Sequence, residues 1–183
     1  MNKPAQVDSS GSFTARFTVG EFAQLLVAAG QLDIRLELVD GYLHRMSPPM
    51  GAHSTRQTAV LGTLWTLLRD RVMVEAGIDL GDDTVMVCDI VILHQPMDEQ
   101  RFLRADEIVV AIEIAETTLD RDLGLKRVAY ANAGIPHYWV VDGRQAQVHA
   151  FTLQADGGYG DAIRMPFGQS LMIPGTDRTI VIG

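Results

Sequence analysis

Two almost purely apolar runs dominate the pattern of hydrophobic and polar positions along the chain. Residues 85–93 read VMVCDIVIL and residues 108–114 read IVVAIEI, and each run contains one charged side chain, Asp89 and Glu113 respectively. Runs of this kind are typical of strands that are buried on both faces of a sheet. A third apolar run, residues 138–141, follows after a segment with helical spacing. Two strands joined by a helix predict a βαβ unit in which the strands are parallel.

The first quarter of the chain predicts a short helix followed by a β-hairpin. Thr18 with Glu21 three residues later has the form of a capping box, which marks the beginning of a helix. Asp-Gly at residues 40–41 lies between two strand-like segments and favours a two-residue hairpin turn. Such a turn places Glu37 opposite His44. This pair is either an exposed surface pair or part of a polar site, and the sequence leaves both interpretations open.

A long helix is predicted from residue 53 to about residue 75, because apolar side chains recur there with helical spacing. The side chains expected to pack on the sheet are Leu61, Leu64, Trp65 and Leu68. His53 lies at the beginning of this helix. It is either a histidine at a helix end or a group at the mouth of a functional site.

Composition describes one globular domain. The chain has 183 residues, of which 47% are hydrophobic and 21% charged, and we expect a polar, mobile tail over residues 1–17 and one domain over residues 18–183. No apolar run reaches the ~18 residues that a membrane span needs. The single cysteine, Cys88, excludes an intrachain disulfide, so a cytoplasmic location is expected. The net charge of −8 argues against a broad phosphate-binding surface, although it is compatible with a local basic patch or a metal-assisted site.

The two core acids suggest a bound cation. If the strands of Asp89 and Glu113 are neighbours, the two carboxylates lie close together, and like charges repel unless a cation lies between them. This is the physical argument for a metal ion. The alternative is that each acid lies at a strand end and faces water, and spacing alone does not decide between the two interpretations.

The helix after Glu113 offers further polar groups. Asp122, Lys126 and Tyr130 are spaced by four residues, so they share one helix face. Lys126 either forms a surface ion pair with Asp122 or reaches the carboxylates of the strands, which its flexible stem allows. Two carboxylates holding Mg²⁺ with a lysine nearby suit phosphodiester hydrolysis. The sequence has no CxxC, HxxxH, GxSxG, GxxxxGK[ST] or GxGxxG motif, so it lacks the usual zinc, serine hydrolase and nucleotide-binding patterns.

Three segments carry a family resemblance: LELVDGYLHRMSPPMGAH at residues 36–53, VCDIVIL at 87–93 and EIAETTLDRDLGLKRVAYANAGIPHYWVVD at 113–142. In these segments the chain resembles the Uma-two family of restriction endonucleases, within the PD-(D/E)xK nuclease superfamily. The resemblance covers about residues 18–153. It implies an α/β (α+β) fold of the restriction-endonuclease type, with a mixed β-sheet flanked by helices and an N-terminal helix plus β-hairpin.

The resemblance also implies the residues of a site. Asp89 and Glu113 match the metal-binding acids, which are expected to hold Mg²⁺ or Mn²⁺. The chain departs from the superfamily motif at Ala115, where lysine is usual, and at Cys88, where proline is usual. In this family the lysine comes from the following helix, which makes Lys126 the substitute. The expected supporting residues are Glu37 and His53, which match recurrent polar positions of the family, together with Asp122 and Tyr130.

The leading hypothesis is therefore a metal-dependent endonuclease that hydrolyses DNA phosphodiester bonds. The alternative is a nuclease-fold module that has lost catalysis and acts by binding protein or nucleic acid, which the displaced lysine and the net charge of −8 favour. We also predict a homodimer, because an enzyme with one site per chain cuts both strands of a duplex most simply as a two-fold pair. No membrane partner is expected.

Overall fold

The structure of the protein is a computed structural model that describes residues 6–7, 13–30 and 34–183. The predicted mobile tail, residues 1–17, therefore falls largely outside the described residues. Within that segment, Gln6–Val7 (β1) pairs with Phe13–Thr14 (β2) in an antiparallel ladder. None of the helices in the described stretches combines the length with the apolar character that crossing a bilayer requires.

The described residues divide into two compact units, and the first extends to Pro48 and includes Asp79–Met86. It contains the helix α1 (Val19–Ala29) and the strands β3 (Leu36–Val39) and β4 (Tyr42–Arg45). The predicted capping box is present, since the Glu21 backbone N–H donates to Thr18 Oγ1 and the Thr18 N–H donates to the Glu21 carboxylate. In the hairpin Glu37 lies opposite His44, which confirms the predicted register. The single domain expected over residues 18–183 stays a prediction.

The second unit, Pro49–Ile78 with Val87–Gly183, is built around a mixed sheet. The strands that belong to it in whole or in part are β5 (Val72–Gly81), β6 (Thr84–Leu93), β7 (Leu103–Arg104), β8 (Ile108–Ala115), β9 (His137–Asp142), β10 (Gln147–Thr152) and β11 (Ile163–Pro166). Their order is β11-β10-β9-β8-β6, and β5 pairs with β6 and β7. The predicted neighbours β6 and β8 are adjacent and antiparallel, and β8 and β9 are parallel as predicted. A separate two-stranded ladder joins β12 (Ser170–Met172) to β13 (Thr179–Val181).

Helices cover both faces of this sheet. On one face lies α2 (Gly51–Leu68), and on the other a helical segment made of α3 (Leu119–Arg121), a π-helical turn (Asp122–Lys126) and α4 (Arg127–Asn132). The core under α2 contains Val60, Leu64, Leu68, Ile90, Ile92, Ile112, Ile114, Trp139 and Val141. Because successive strand residues point to opposite faces, Glu113 and Tyr138 point toward the helical segment. Tyr138 packs edge-on against Tyr130, with ring centroids 5.2 Å apart.

The predicted long helix is wrong in its second part. The helix ends at Leu68, and residues that were assigned to it belong to β5. Arg69 has a φ of 56° and a ψ of −128°, a backbone conformation outside the helical region, which stops the helix. The sequence VMVEAGIDL then begins with three apolar residues, places single acids between apolar residues after them and contains β-branched residues, which favours a strand. Trp65 was also misassigned, because its side chain is 47% exposed and does not face the sheet.

Replacing Leu64 by alanine is expected to lower the free energy of unfolding by ~2–5 kcal/mol, because this side chain of α2 is fully buried against the sheet. The matched change Trp65→Ala, in the adjacent and half-exposed residue, should cost less than ~1.5 kcal/mol. Urea unfolding followed by circular dichroism measures both values. Equal costs for the two changes would contradict the orientation of α2.

Candidate functional site

Glu113 is the buried centre of the site. The Lys126 Nζ lies 2.7 Å from Glu113 Oε1, and the Tyr130 hydroxyl donates a hydrogen bond of 2.7 Å to the same oxygen. Glu113 is 2% exposed and Lys126 is 3% exposed. Lys126 also donates to the carbonyl oxygen of Val87 at 2.7 Å. Lys126 is therefore a buried partner of the strand carboxylate and not an exposed partner of Asp122.

The π-helical turn positions the groups that surround Glu113. Asp122 and Lys126 are its first and last residues, and both side chains are buried. The Asp122 carboxylate accepts a hydrogen bond of 2.6 Å from the Thr118 hydroxyl, and the Asp122 carbonyl accepts one of 3.0 Å from Tyr138. Burial raises the pKa of Asp122, against the attraction of Lys126. Asp122 thus anchors the helical segment on the sheet beside the site.

Asp89 lies where the ladder between β6 and β8 ends. The last paired residues are Ile90 and Ile112, and beyond them Asp89 Oδ2 accepts the backbone N–H of Ile114 at 2.7 Å. Asp89 Oδ1 lies 3.5 Å from His53 Nε2. At this point the Asp89 carboxylate, and not a backbone carbonyl of β6, accepts the hydrogen bond from β8. It joins the end of β8 to the beginning of α2.

The two core acids differ in electrostatics. Burial raises the pKa of Glu113 to about 8; the Lys126 ammonium opposes this rise, and the charges of Asp89 and Asp122 add to it. For Asp89, burial alone would raise the pKa, but the nearby imidazole of His53, the charge of Lys126 and the Ile114 N–H outweigh it and lower the pKa. The contact with Asp89 is in turn the main cause that raises the pKa of His53. Neighbouring carboxyl groups with pKa values pushed in opposite directions are typical of catalytic sites.

A further acid, Glu75, joins this region. His53, Glu75 and Asp89 each offer one ligand atom, and these atoms all lie within 4.8 Å of one another. Gln57 Nε2 donates to Glu75 Oε1 at 2.9 Å and to the Asp89 carbonyl at 3.0 Å. The sequence did not point to Glu75, because residue 75 was predicted to end a helix. Gln57 lies within the predicted helix, but no motif singled it out. The alternating pattern after Leu68 is the signal that could have found Glu75 on a strand.

The donor set fits a divalent cation. Carboxylate oxygens and an imidazole nitrogen are ligands that divalent ions accept in proteins. Two ligand atoms that are each ~2.1 Å from one ion lie up to ~4.2 Å apart, so the 3.5 Å between His53 Nε2 and Asp89 Oδ1 is compatible with a shared ion. Glu113 is not one of the three residues in this group, and its carboxylate contacts Lys126 and Tyr130 instead. The three ligand atoms come from α2, β5 and β6, so the fold brings them together.

The other predicted residues take different places. Glu37 is buried on β3 of the first unit, and its expected role in the pocket stays a prediction. Ala115, at the position of the usual lysine, is buried at the end of β8. Cys88 is fully buried, and burial raises the pKa of its thiol, as expected for a cysteine that serves packing.

Comparisons with known proteins agree on family and fold. The chain is similar to a solved structure described as "a putative nuclease belonging to DUF820" from Anabaena variabilis, with a TM-score of 0.63 and 17% identity over 91% of this chain and 95% of that chain. At this identity the likeness establishes the fold, which confirms the predicted restriction-endonuclease-like mixed sheet flanked by helices. Among curated proteins none matches the chain. Residues 19–179 match the Uma2 family, described as "Putative restriction endonuclease". Because this match extends over most of the sequence, the chain belongs to the Uma2 family.

Proposed function

We propose that the protein is a metal-dependent endonuclease that hydrolyses DNA phosphodiester bonds. The observation that carries this proposal is the buried ammonium of Lys126, 2.7 Å from Glu113. Burying a lysine beside a carboxyl group costs desolvation and is a weak source of stability, so the presence of this contact favours a functional reason. Family membership supports the same class of activity. In this proposal Lys126 takes the role of the missing strand lysine, whose place in the sequence is occupied by Ala115.

Each residue has a role in this proposal. Asp89 and Glu113 would hold Mg²⁺ or Mn²⁺, and the bound ion would polarise the phosphate and lower the pKa of a water molecule. Lys126 stabilises negative charge that develops on the phosphate, because its ammonium lies beside the acids in a water-poor environment. Tyr130 orients Glu113 by a hydrogen bond to the carboxylate. Asp122 holds the helical segment that carries both Lys126 and Tyr130.

The second candidate function is a nuclease-fold module that binds a partner without cleavage. The net charge of −8 favours it, because a broad DNA-binding surface requires many cations. The Glu113–Lys126 contact argues against it, since a binding module has no need of a buried lysine at a core carboxylate. The homodimer and the cytoplasmic location remain predictions in either case.

Metal-dependent cleavage decides between these functions. Metal-stripped protein is incubated with supercoiled DNA, linear DNA, single-stranded DNA and RNA, with and without Mg²⁺ or Mn²⁺. We expect cleavage of DNA that requires the ion and is absent from Asp89→Asn. The matched control is Asp106→Asn, because the Asp106 side chain is 79% exposed and belongs to a surface pair with Arg104. Metal binding by calorimetry without cleavage of any substrate would favour the binding module.

A further inference from the structure

We infer that His53 is a nitrogen ligand of the bound ion, together with Glu75 and Asp89, and that the site therefore prefers Mn²⁺ and similar transition-metal ions to Mg²⁺. This inference rests on the proposed function and deepens it. It assigns the class of ion and adds two residues to the predicted acids. None of the sequence motifs pointed to Glu75.

Convergence of three elements is the first argument. His53 comes from the first turn of α2, Glu75 from β5 and Asp89 from β6, and their ligand atoms lie within 4.8 Å of one another. His53 Nε2 faces Asp89 Oδ1 at 3.5 Å, which is longer than a normal hydrogen bond and suits two ligands of one ion. An ion between these atoms would replace the His53–Asp89 contact.

A rigid frame behind the ligands is the second argument. Gln57 lies one turn after His53 on α2, so the two side chains share a helix face. Its amide holds Glu75 by the carboxylate and Asp89 by the backbone, and the Gln57 side chain is itself buried. Glu75 has a φ of 52°, a left-handed conformation that is uncommon within a strand. The helix α2 thus supplies one ligand and orients a second.

Ligand chemistry then decides the kind of ion. Mg²⁺ binds oxygen ligands and retains much of its water, whereas imidazole nitrogen suits transition-metal ions. A site that adds an imidazole to its carboxylates therefore gains affinity for Mn²⁺, Co²⁺ or Ni²⁺ relative to Mg²⁺. If His53 served only to orient Asp89, the ion would have oxygen ligands alone and this preference would be smaller.

Calorimetric titration of the metal-stripped full chain tests the preference without any cleavage assay. We expect Mn²⁺ to bind at least roughly tenfold more tightly than Mg²⁺. His53→Asn should weaken Mn²⁺ binding by ~10–100-fold and Mg²⁺ binding much less, so that the ratio of the Mn²⁺ affinity to the Mg²⁺ affinity falls. His94→Asn is the matched control, because His94 is exposed just after β6. Gln57→Ala should weaken the binding of both ions by a similar factor and leave the ratio unchanged.

Pulsed electron paramagnetic resonance of bound Mn²⁺ gives a direct reading. With ¹⁵N-labelled histidine, we expect a nitrogen coupling in the wild type and in His94→Asn, and none in His53→Asn. No coupling in the wild type overturns the inference even if metal-dependent cleavage occurs, and so does an unchanged Mn²⁺/Mg²⁺ ratio in a folded His53→Asn. Nitrogen-coupled binding without cleavage supports the inference and contradicts the proposed function. If His53→Asn fails to fold, the nitrogen coupling and the Mn²⁺/Mg²⁺ affinity ratio of the wild type alone decide whether the inference holds.

Discussion

Replacement of Lys126 by methionine is expected to slow DNA cleavage by at least ~100-fold, the usual scale for the loss of one positioned electrostatic or proton-transfer group. The Lys126 ammonium is 2.7 Å from Glu113 and is buried, so water cannot substitute for its charge. Methionine keeps the length of the side chain and its packing, which isolates the charge. Single-turnover rates on a substrate that the wild type demonstrably cuts give the measurement.

Two further variants make this result specific. Lys126→Arg should not restore full activity, because a guanidinium differs from an ammonium in geometry and in proton affinity. Arg127→Met is the matched control, since the neighbouring Arg127 guanidinium lies over the Phe151 ring at 5.2 Å. It should retain activity close to the wild type. Wild-type rates in a folded Lys126→Met would remove the lysine from the mechanism and leave the proposed site without its cation.

The stability of the metal-free protein is expected to fall as pH rises between about 4.5 and about 8, because Glu113 loses a proton that the fold favours. Its pKa is raised from the ordinary 4.5 to about 8, chiefly by burial. The folded protein therefore binds more protons than the unfolded chain in this window. The free energy of unfolding falls with pH by up to ~1.4 kcal/mol per unit from this group. Urea unfolding at a series of pH values measures it.

Glu113→Gln isolates the contribution of this carboxyl group. The raised pKa of His53 also lowers stability as pH rises above its ordinary 6.5. The informative quantity is therefore the difference in the free energy of unfolding between wild type and Glu113→Gln. This difference should change steadily from pH 5 to pH 8. Glu107→Gln is the control, because its pKa is lowered to about 2 by Arg101 and its stabilisation is lost only as pH falls below 4.5. A constant difference between wild type and Glu113→Gln would show that burial does not raise the pKa of Glu113.

Long apolar runs and turn residues made much of the fold predictable. Residues 85–93 and 108–114 were recognisable as core strands, and Asp-Gly at residues 40–41 fixed the register of the hairpin through Glu37 and His44. The helical spacing after Glu113 likewise predicted that Lys126 and Tyr130 share a face. These features depend on local sequence, so one chain is enough to recognise them.

Other features depend on tertiary contacts that the sequence does not encode locally. The helical spacing of α2 continues to Val72, whereas the helix itself ends at Leu68, where Arg69 adopts a positive φ. For this reason Glu75 was not included in the predicted site. Trp65 was placed on the sheet because helical spacing cannot choose between adjacent positions at the edge of an apolar face. The hydrogen bonds from Gln57 to Glu75 and Asp89 form only when α2, β5 and β6 are packed together, so the local sequence does not predict them.

The π-helical turn Asp122–Lys126 contains one residue more than a regular turn of α-helix, and its last residue carries the ammonium that reaches Glu113. The ammonium beside Glu113 is thus carried by the helical segment that follows β8 and not by β8 itself. A linear search for an acid followed two residues later by lysine passes over this chain, because Ala115 occupies that position. Distant homologues with such a relocated lysine are better recognised by superposing side-chain positions than by aligning motifs, and the absence of the motif is a poor criterion for calling such a chain inactive.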